Sequence, residues 1–376
     1  MMKKQYSHLV LFLSLCTLTA CNDSKNEDSI DPDPLPPSIT YHVEGYAELG
    51  AFDHNSTLTV FPLDKSLAHI EEQAYGGKVE TDYGLFSASG NMKFQESLYF
   101  EVQVTGNFFN GTKGRRSEHK TTLRAINHVI NHDDEERSIN RYIKLPATNV
   151  NIFTQLTAAR ICTLLKKAAG YNEMSHTITD IYRNASEQAL KEVLTAFSIS
   201  DIYVSMLSID PTRASFSQYN APASMMAAVS NILLTSVDEE LLDTFFTEWD
   251  KDFAPDGRID NEDIKESIRD GQQSLKYTNV YKQLDSFYKA YDFKSDFPEF
   301  WKFVDRNGDG ILDKQDKPDD FEITEEELTP SKQQCIQLLE QVNKYLRDFL
   351  QTECVWEANF CGAIGPIPDY PTTLVP

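Results

Sequence analysis

The stretch Asp305–Asp316, DRNGDGILDKQD, concentrates the oxygen chemistry of this 376-residue chain. Side-chain oxygens fall at loop positions 1, 3, 5, 9 and 12, contributed by Asp305, Asn307, Asp309, Asp313 and Asp316. Ile311 at position 7 offers a backbone carbonyl, and Gly310 at position 6 permits a sharp turn. Hard cations that take six to eight oxygens in a flexible cage want this spacing, and Ca2+ is the ion it predicts. Leu312 at position 8 is placed to plug a core beneath the loop. Trp301 and Val304 stand where an entering helix turns its apolar residues inward. Asp316 is one methylene shorter than the glutamate usual at position 12, so its two-oxygen reach is reduced.

A second stretch, Asp250–Asp263 (DKDFAPDGRIDNED), repeats the pattern imperfectly. Starting the loop at Asp250 aligns Phe246 with Trp301 and Trp249 with Val304, but needs two extra residues between Asp252 and Asp256. Starting it at Asp252 needs no insertion and puts Ala254 at position 3. In either register Asp256, Gly257, Ile259, Asp260 and Asp263 keep the right relative spacing, so this loop is a weaker candidate and a possible partner for the first. The first loop resembles the calcium loop of EF-hands. Dockerin repeats, which commonly carry Asp at position 12, and thrombospondin type 3 repeats also resemble it. Neither continues here as a repeated array, which argues against cohesin docking.

The N-terminus is read apart from the fold. Lys3 and Lys4 precede an apolar run, Leu9 to Leu18, too short for a comfortable membrane span. The run ends in Leu18-Thr19-Ala20-Cys21, which resembles the lipobox of bacterial lipoproteins. That resemblance implies cleavage before Cys21 and acylation of its thiol and new amine. Residues 22–38 are acidic and proline-rich, a composition that suits an extended tether. Acidic residues just after the cysteine resemble the export signal of surface-exposed lipoproteins in Bacteroidota, and Asp28-Ser29-Ile30 resembles the O-glycosylation motif of that group. The expected location is the outer membrane, facing the periplasm or the cell surface. The formal net charge is −23, and losing Lys3 and Lys4 makes it more negative still. Such a surface repels nucleic acid and anionic headgroups, so the membrane partner is reached through acyl chains at Cys21.

Other chemistry-bearing residues carry less. Cys162 sits in a helical run, where a buried free thiol is expected. Cys354 and Cys361 close a short loop and are the favoured disulfide, with Cys335 the competitor. His128 and His132, four apart, would share a helix face but lack the intervening glutamate of a zinc hydrolase. The basic island Lys113, Arg115, Arg116, His119 and Lys120 reads as a solvated hairpin loop. No phosphate loop, nucleophile elbow or thiol–histidine signature is present, so no catalytic residue is nominated.

These residues must be positioned by two kinds of element. Residues 40–147 alternate apolar and polar side chains between turn clusters, predicting antiparallel strands at Tyr41–Tyr46, Ser56–Phe61, Leu98–Val104 and Thr121–Ile126. In Leu98–Val104 the period puts Leu98, Phe100, Val102 and Val104 inward, with Glu101 and Gln103 on a polar outer face. From Asn149 the period becomes helical. Helices are expected over 149–170, over 184–197 with Asn184 as N-cap, at Ala223–Thr235, Glu239–Trp249, Asp263–Lys276, Val280–Tyr291 and Ser331–Leu350.

The fold class expected is therefore α+β and multidomain. A signal peptide (1–20) and tether (21–39) precede an antiparallel β-sandwich (40–147). A mainly α-helical domain with EF-hand-like loops (148–330) and a C-terminal helix with a cysteine-containing tail (331–376) follow. The order Gly45-Tyr46-Ala47, Ser56–Val60, Thr81-Asp82-Tyr83-Gly84-Leu85-Phe86-Ser87 resembles the carboxypeptidase-regulatory-like, transthyretin-like sandwich, an accessory module of bacterial surface proteins. A sandwich followed by Asn149-Val150-Asn151 and a helix also resembles a group of uncharacterised bacterial surface proteins. The expected function is a calcium-binding envelope lipoprotein that meets a protein or glycan partner. An enzyme on envelope or dietary polymers and a purely structural envelope protein are the alternatives.

Overall fold

The computed structural model describes residues 40–91, 98–129, 142–173, 178–218, 220–291 and 300–319. The signal peptide with Cys21, the tether, His132, Cys335, Cys354, Cys361 and the expected Ser331–Leu350 helix lie outside them.

The predicted alternation produces β1 (Thr40–Glu48), β2 (Thr57–Leu63), β3 (Tyr75–Val79), β4 (Leu85–Asn91) and β5 (Tyr99–Gly106). β6 (Phe109–Asn110) and β7 (Arg115–Arg116) form a small hairpin of their own, and β8 (Thr121–His128), β9 (Tyr142–Lys144) and β10 (Val150–Asn151) complete the strands. The main sheet runs β10-β1-β4-β3-β2-β5-β8, with β9 also on β1. It is mixed: β9 and β10 lie parallel to β1, Ala47 facing Val150, whereas β1–β4 and β2–β5 are antiparallel. The parallel edge was invisible to the period of the sequence, because strands of two and three residues are too short to show alternation.

Gly84 makes the turn before β4 at φ +88, and a Cβ there would stand 2.4 Å from the Ala47 carbonyl oxygen. No other residue is tolerated without moving that backbone.

β5 departs from the half-buried reading. Tyr99 to Val102 are all buried, and Glu101 is only 2% exposed. The reason lies downstream. The first helix, α1 (Ile152–Lys167), packs on β8, and α5 (Leu242–Phe253) sends Asp250 to Arg124 on β8, so this side of the sheet is covered.

Asn151 starts α1 with a capping box: its Oδ1 accepts from Thr154 N–H at 3.0 Å, and Thr154 Oγ1 accepts from Asn151 N–H at 2.8 Å. Next come α2 (Ile178–Ala196), α3 (Ile202–Met206), α4 (Ala221–Ser236), α6 (Glu262–Ser274) and α7 (Tyr277–Lys289). Asn184, the expected cap, lies inside α2; Ile178 and Tyr182 before it are buried in the core, and that packing outweighs the local signal. α4 is mostly apolar and buried all round: every residue from Ala223 to Leu234 is buried, Ser224, Ser230 and Asn231 among them. The change of period near residue 148 does not divide the core. One cluster runs from Val43, Phe86 and Val102 in the sheet through Phe153 and Met226 to Trp249, Trp301 and Val304.

Candidate metal loop and the neighbouring cleft

Trp301 and Val304 anchor the entrance of the 305–316 loop in the core, 9% and 1% exposed, and Leu312 packs against the same core. The entering segment among the described residues is a 3-10 turn, Phe300–Phe303, not an α-helix. Inside the loop the carboxylates organise the backbone. Asp305 accepts from Gly308 N–H at 2.8 Å and Gly310 N–H at 3.0 Å, closing the turn. Gly308 and Gly310 have φ +74 and +79, the left-handed region where glycine costs least. Asp309 accepts from Ile311 N–H at 2.8 Å, and Asn307 from Asp309 N–H at 2.9 Å. Asp313 and Asp316 form a capping box over the 3-10 turn Lys314–Asp316, and Asp316 also reaches Arg306 N–H at 2.9 Å.

Asp305 and Asp316 are 2% and 1% exposed, yet neither forms an ion pair among the described residues. Burying two carboxylates on neutral amides alone is costly, and a cation would offset it. The donor set, the Gly310 turn and this charge imbalance all fit a hard divalent ion. Among the described residues, no three His, Cys, Asp or Glu side chains already converge as a metal-holding group. The carboxylates are turned to amide hydrogens, so metal binding requires each to share an oxygen with the ion.

The 250–263 loop is different. It spans the last turn of α5 and the first of α6, and Gly257 between them has φ +79 as Gly310 does. Asp256 accepts from Arg258 N–H at 3.0 Å, the counterpart of the Asp309–Ile311 bond. Its other groups are committed elsewhere. Asp250 points away to Arg124 on the sheet, and burial pushes its carboxyl up to about 6. Asp252 accepts from Asp260 and Asn261 N–H at 2.8 and 3.1 Å. Asn261 caps α6, accepting from Asp263 N–H. Arg160, 4% exposed, donates to the Ala254 and Pro255 carbonyls at 3.1 and 2.9 Å and holds Glu192 through both oxygens at 2.7 and 2.9 Å. A guanidinium thus occupies the Ala254 and Pro255 carbonyls, and Asp250 and Asp252 are engaged apart from Asp256, so this loop fits a metal less well than the first.

Sequence reasoning missed Arg160, because nothing in a helical AAR triplet announces a backbone partner almost a hundred residues away. It also missed the Asn149–Asn151 clamp. Asn149 accepts from Tyr46 N–H at 2.9 Å and donates to Ala214 O, and Asn151 donates to the Pro211 and Ala214 carbonyls. His128 ends strand β8 rather than a helix turn. It bonds Asn127 and Thr179 and stacks on Tyr182, and burial lowers it to about 4. The basic island is mostly spent on ion pairs, Arg115 locally with Glu118, and Lys113 with Glu239 and Arg116 with Asp53 across the fold. Cys162 is a free thiol on α1, raised to about 11 by burial.

The two loops both line a cleft of about 370 Å³, the second contributing Gly257, Arg258 and Ile259 and the first Asp305 and Gly308. Its remaining wall comes from the end of α2 and one face of α6. No family model, curated protein or solved structure matches the chain.

Proposed function

We propose that this chain is a cell-envelope lipoprotein, anchored by acylation of Cys21, that holds one Ca2+ ion at 305–316 as a structural staple and engages a protein or glycan at the cell surface. The observation that carries the calcium reading is the pair of buried carboxylates, Asp305 and Asp316, at positions 1 and 12 of a correctly spaced loop without a cationic partner among the described residues. Asp305, Asn307, Asp309, the Ile311 carbonyl, Asp313 and Asp316 are the assigned ligands. The ion supplies charge neutralisation and ties the core residues Trp301 and Val304 to the turn that follows. In this reading the 305–316 loop is EF-hand- or dockerin-type. The strands around the Gly84 turn are read as a carboxypeptidase-regulatory-like sandwich module. The lipid anchor is supported by the sequence before Cys21.

Extracellular modules bind calcium with Kd of about 10⁻⁴–10⁻³ M, so a site of that strength is filled at millimolar calcium. Calorimetric titration of the metal-stripped protein tests this beside Asp305→Ala and Asp256→Ala. Saturable heat abolished by Asp305→Ala and kept by Asp256→Ala is the expected result. Silence up to millimolar calcium overturns the metal assignment and leaves the anchor standing. Mass spectrometry of the protein from a lipoprotein-processing bacterium tests that separately, since Cys21→Ser must lose the acyl mass.

A further inference from the structure

Anions are repelled by the net charge of this chain, so a place that gathers unpaired cations stands out. The cleft between the two loops is such a place. Arg258 comes from the 254–261 loop, and Lys265 and Arg269, four apart, from one face of α6. Among the described residues neither arginine side chain makes a salt bridge or hydrogen bond, although Arg269 lies in the field of Glu262; Lys265 pairs with the exposed Glu262 at 2.8 Å and also feels Asp260 and Asp252. The two carboxylates of the wall are already occupied: Glu192 by Arg160, and Asp305 by the glycine amides of its loop.

The end of α2 adds a second observation. Ile199 N–H bonds Leu194 O at 2.9 Å and Ser198 N–H bonds Thr195 O at 3.0 Å, which closes the helix with residue 198 in the left-handed region at φ +60. Glycine is the usual residue at that position because any Cβ is disfavoured there. Serine stands there instead and lines the cleft, with no hydrogen bond from its hydroxyl among the described residues. A strained backbone that keeps a free hydroxyl on a cavity wall is a feature of binding sites.

We propose that this cleft binds a small hydroxylated carboxylate of the acidic-sugar class, its carboxylate held by Arg258 and Arg269 and a hydroxyl held by Ser198. The volume lies within the range of small-molecule sites. Planar guanidinium forks match a carboxylate, and the half-buried Ile259 gives a ring an apolar surface to lie on. Asp305 lines this cleft and is also an assigned calcium ligand, so the ligand titration is run with calcium present and the calcium assignment is judged separately by the metal titration of the stripped protein.

The test is a calorimetric titration of the full chain with glucuronate, and with glucose as the neutral control. Glucuronate must saturate while glucose does not. The double variant Arg258→Gln/Arg269→Gln, both exposed positions, must weaken binding about tenfold or more, the loss expected for charge-assisted hydrogen bonds. Ser198→Gly removes the hydroxyl while relieving the backbone, so it must melt no lower than wild type and still bind more weakly. Glucuronate binding no tighter than glucose, or unchanged binding in both variants, overturns the assignment.

Discussion

Glu48 ends β1 at 1% exposure, accepting from Ser215 Oγ and Phe216 N–H at 3.1 Å each, with no cationic partner among the described residues. Burial pushes its carboxyl up to about 8, well above its ordinary 4.5. The folded state therefore keeps a proton that the unfolded chain releases, and stability falls as pH rises from about 4.5 to about 8. Glu48→Gln should abolish this slope and gain a few kcal/mol at pH 8, read from urea midpoints at pH 5 and pH 8. A variant with the wild-type slope would show that Glu48 is ionised in the fold. His128 works with the opposite sign. Its folded value near 4 lies below its ordinary 6.5, so its contribution is intact above 6.5 and lost as pH falls toward 4. His128→Gln should flatten the acid limb of the same curve.

At the scale of elements, Arg160 ties the α5–α6 loop to α2 through Glu192 and the Ala254 and Pro255 carbonyls. Arg160→Met strips the Ala254 carbonyl of its partner and leaves Glu192 only Gln188 and the Pro255 carbonyl only Lys167, a loss of roughly 3 kcal/mol, the low end for broken buried pairs, measured by denaturant unfolding. Arg160→Lys should not restore it, because one ammonium cannot serve a bidentate carboxylate and two carbonyls together. A cost under about 1 kcal/mol for Arg160→Met would make the pair a surface ornament. Asn151 caps α1 and also clamps the 211–214 segment through its amide. Asn151→Ala should therefore exceed the ~1 kcal/mol of an ordinary cap, and Asn151→Asp should keep the cap but lose the clamp.

At the scale of the molecule, a net charge of −23 makes self-repulsion a general cost that any salt relieves. A site-bound ion must do more. Millimolar calcium should raise Tm beyond sodium chloride of equal ionic strength, by roughly 2–4 °C per kcal/mol of linkage, and Asp305→Ala should remove only the excess. Equal shifts in the two salts would reduce calcium to screening. The residues that the sequence settled unaided are those whose partners are near in the chain. They include the strand at β2, the helical period of α1, the turn at Gly84 and the ordered oxygens of Asp305–Asp316. Each follows from local sterics or from a period that needs no knowledge of the rest. Tertiary structure alone decided that β9 and β10 lie parallel to β1, that Glu101 is buried, and that Arg160 occupies the second loop. It also decided that Arg258, Arg269 and Ser198 share one cleft. These depend on backbone carbonyls and on neighbours tens to over a hundred residues away. A carbonyl leaves no mark on residue type, so no spacing along the chain could announce them.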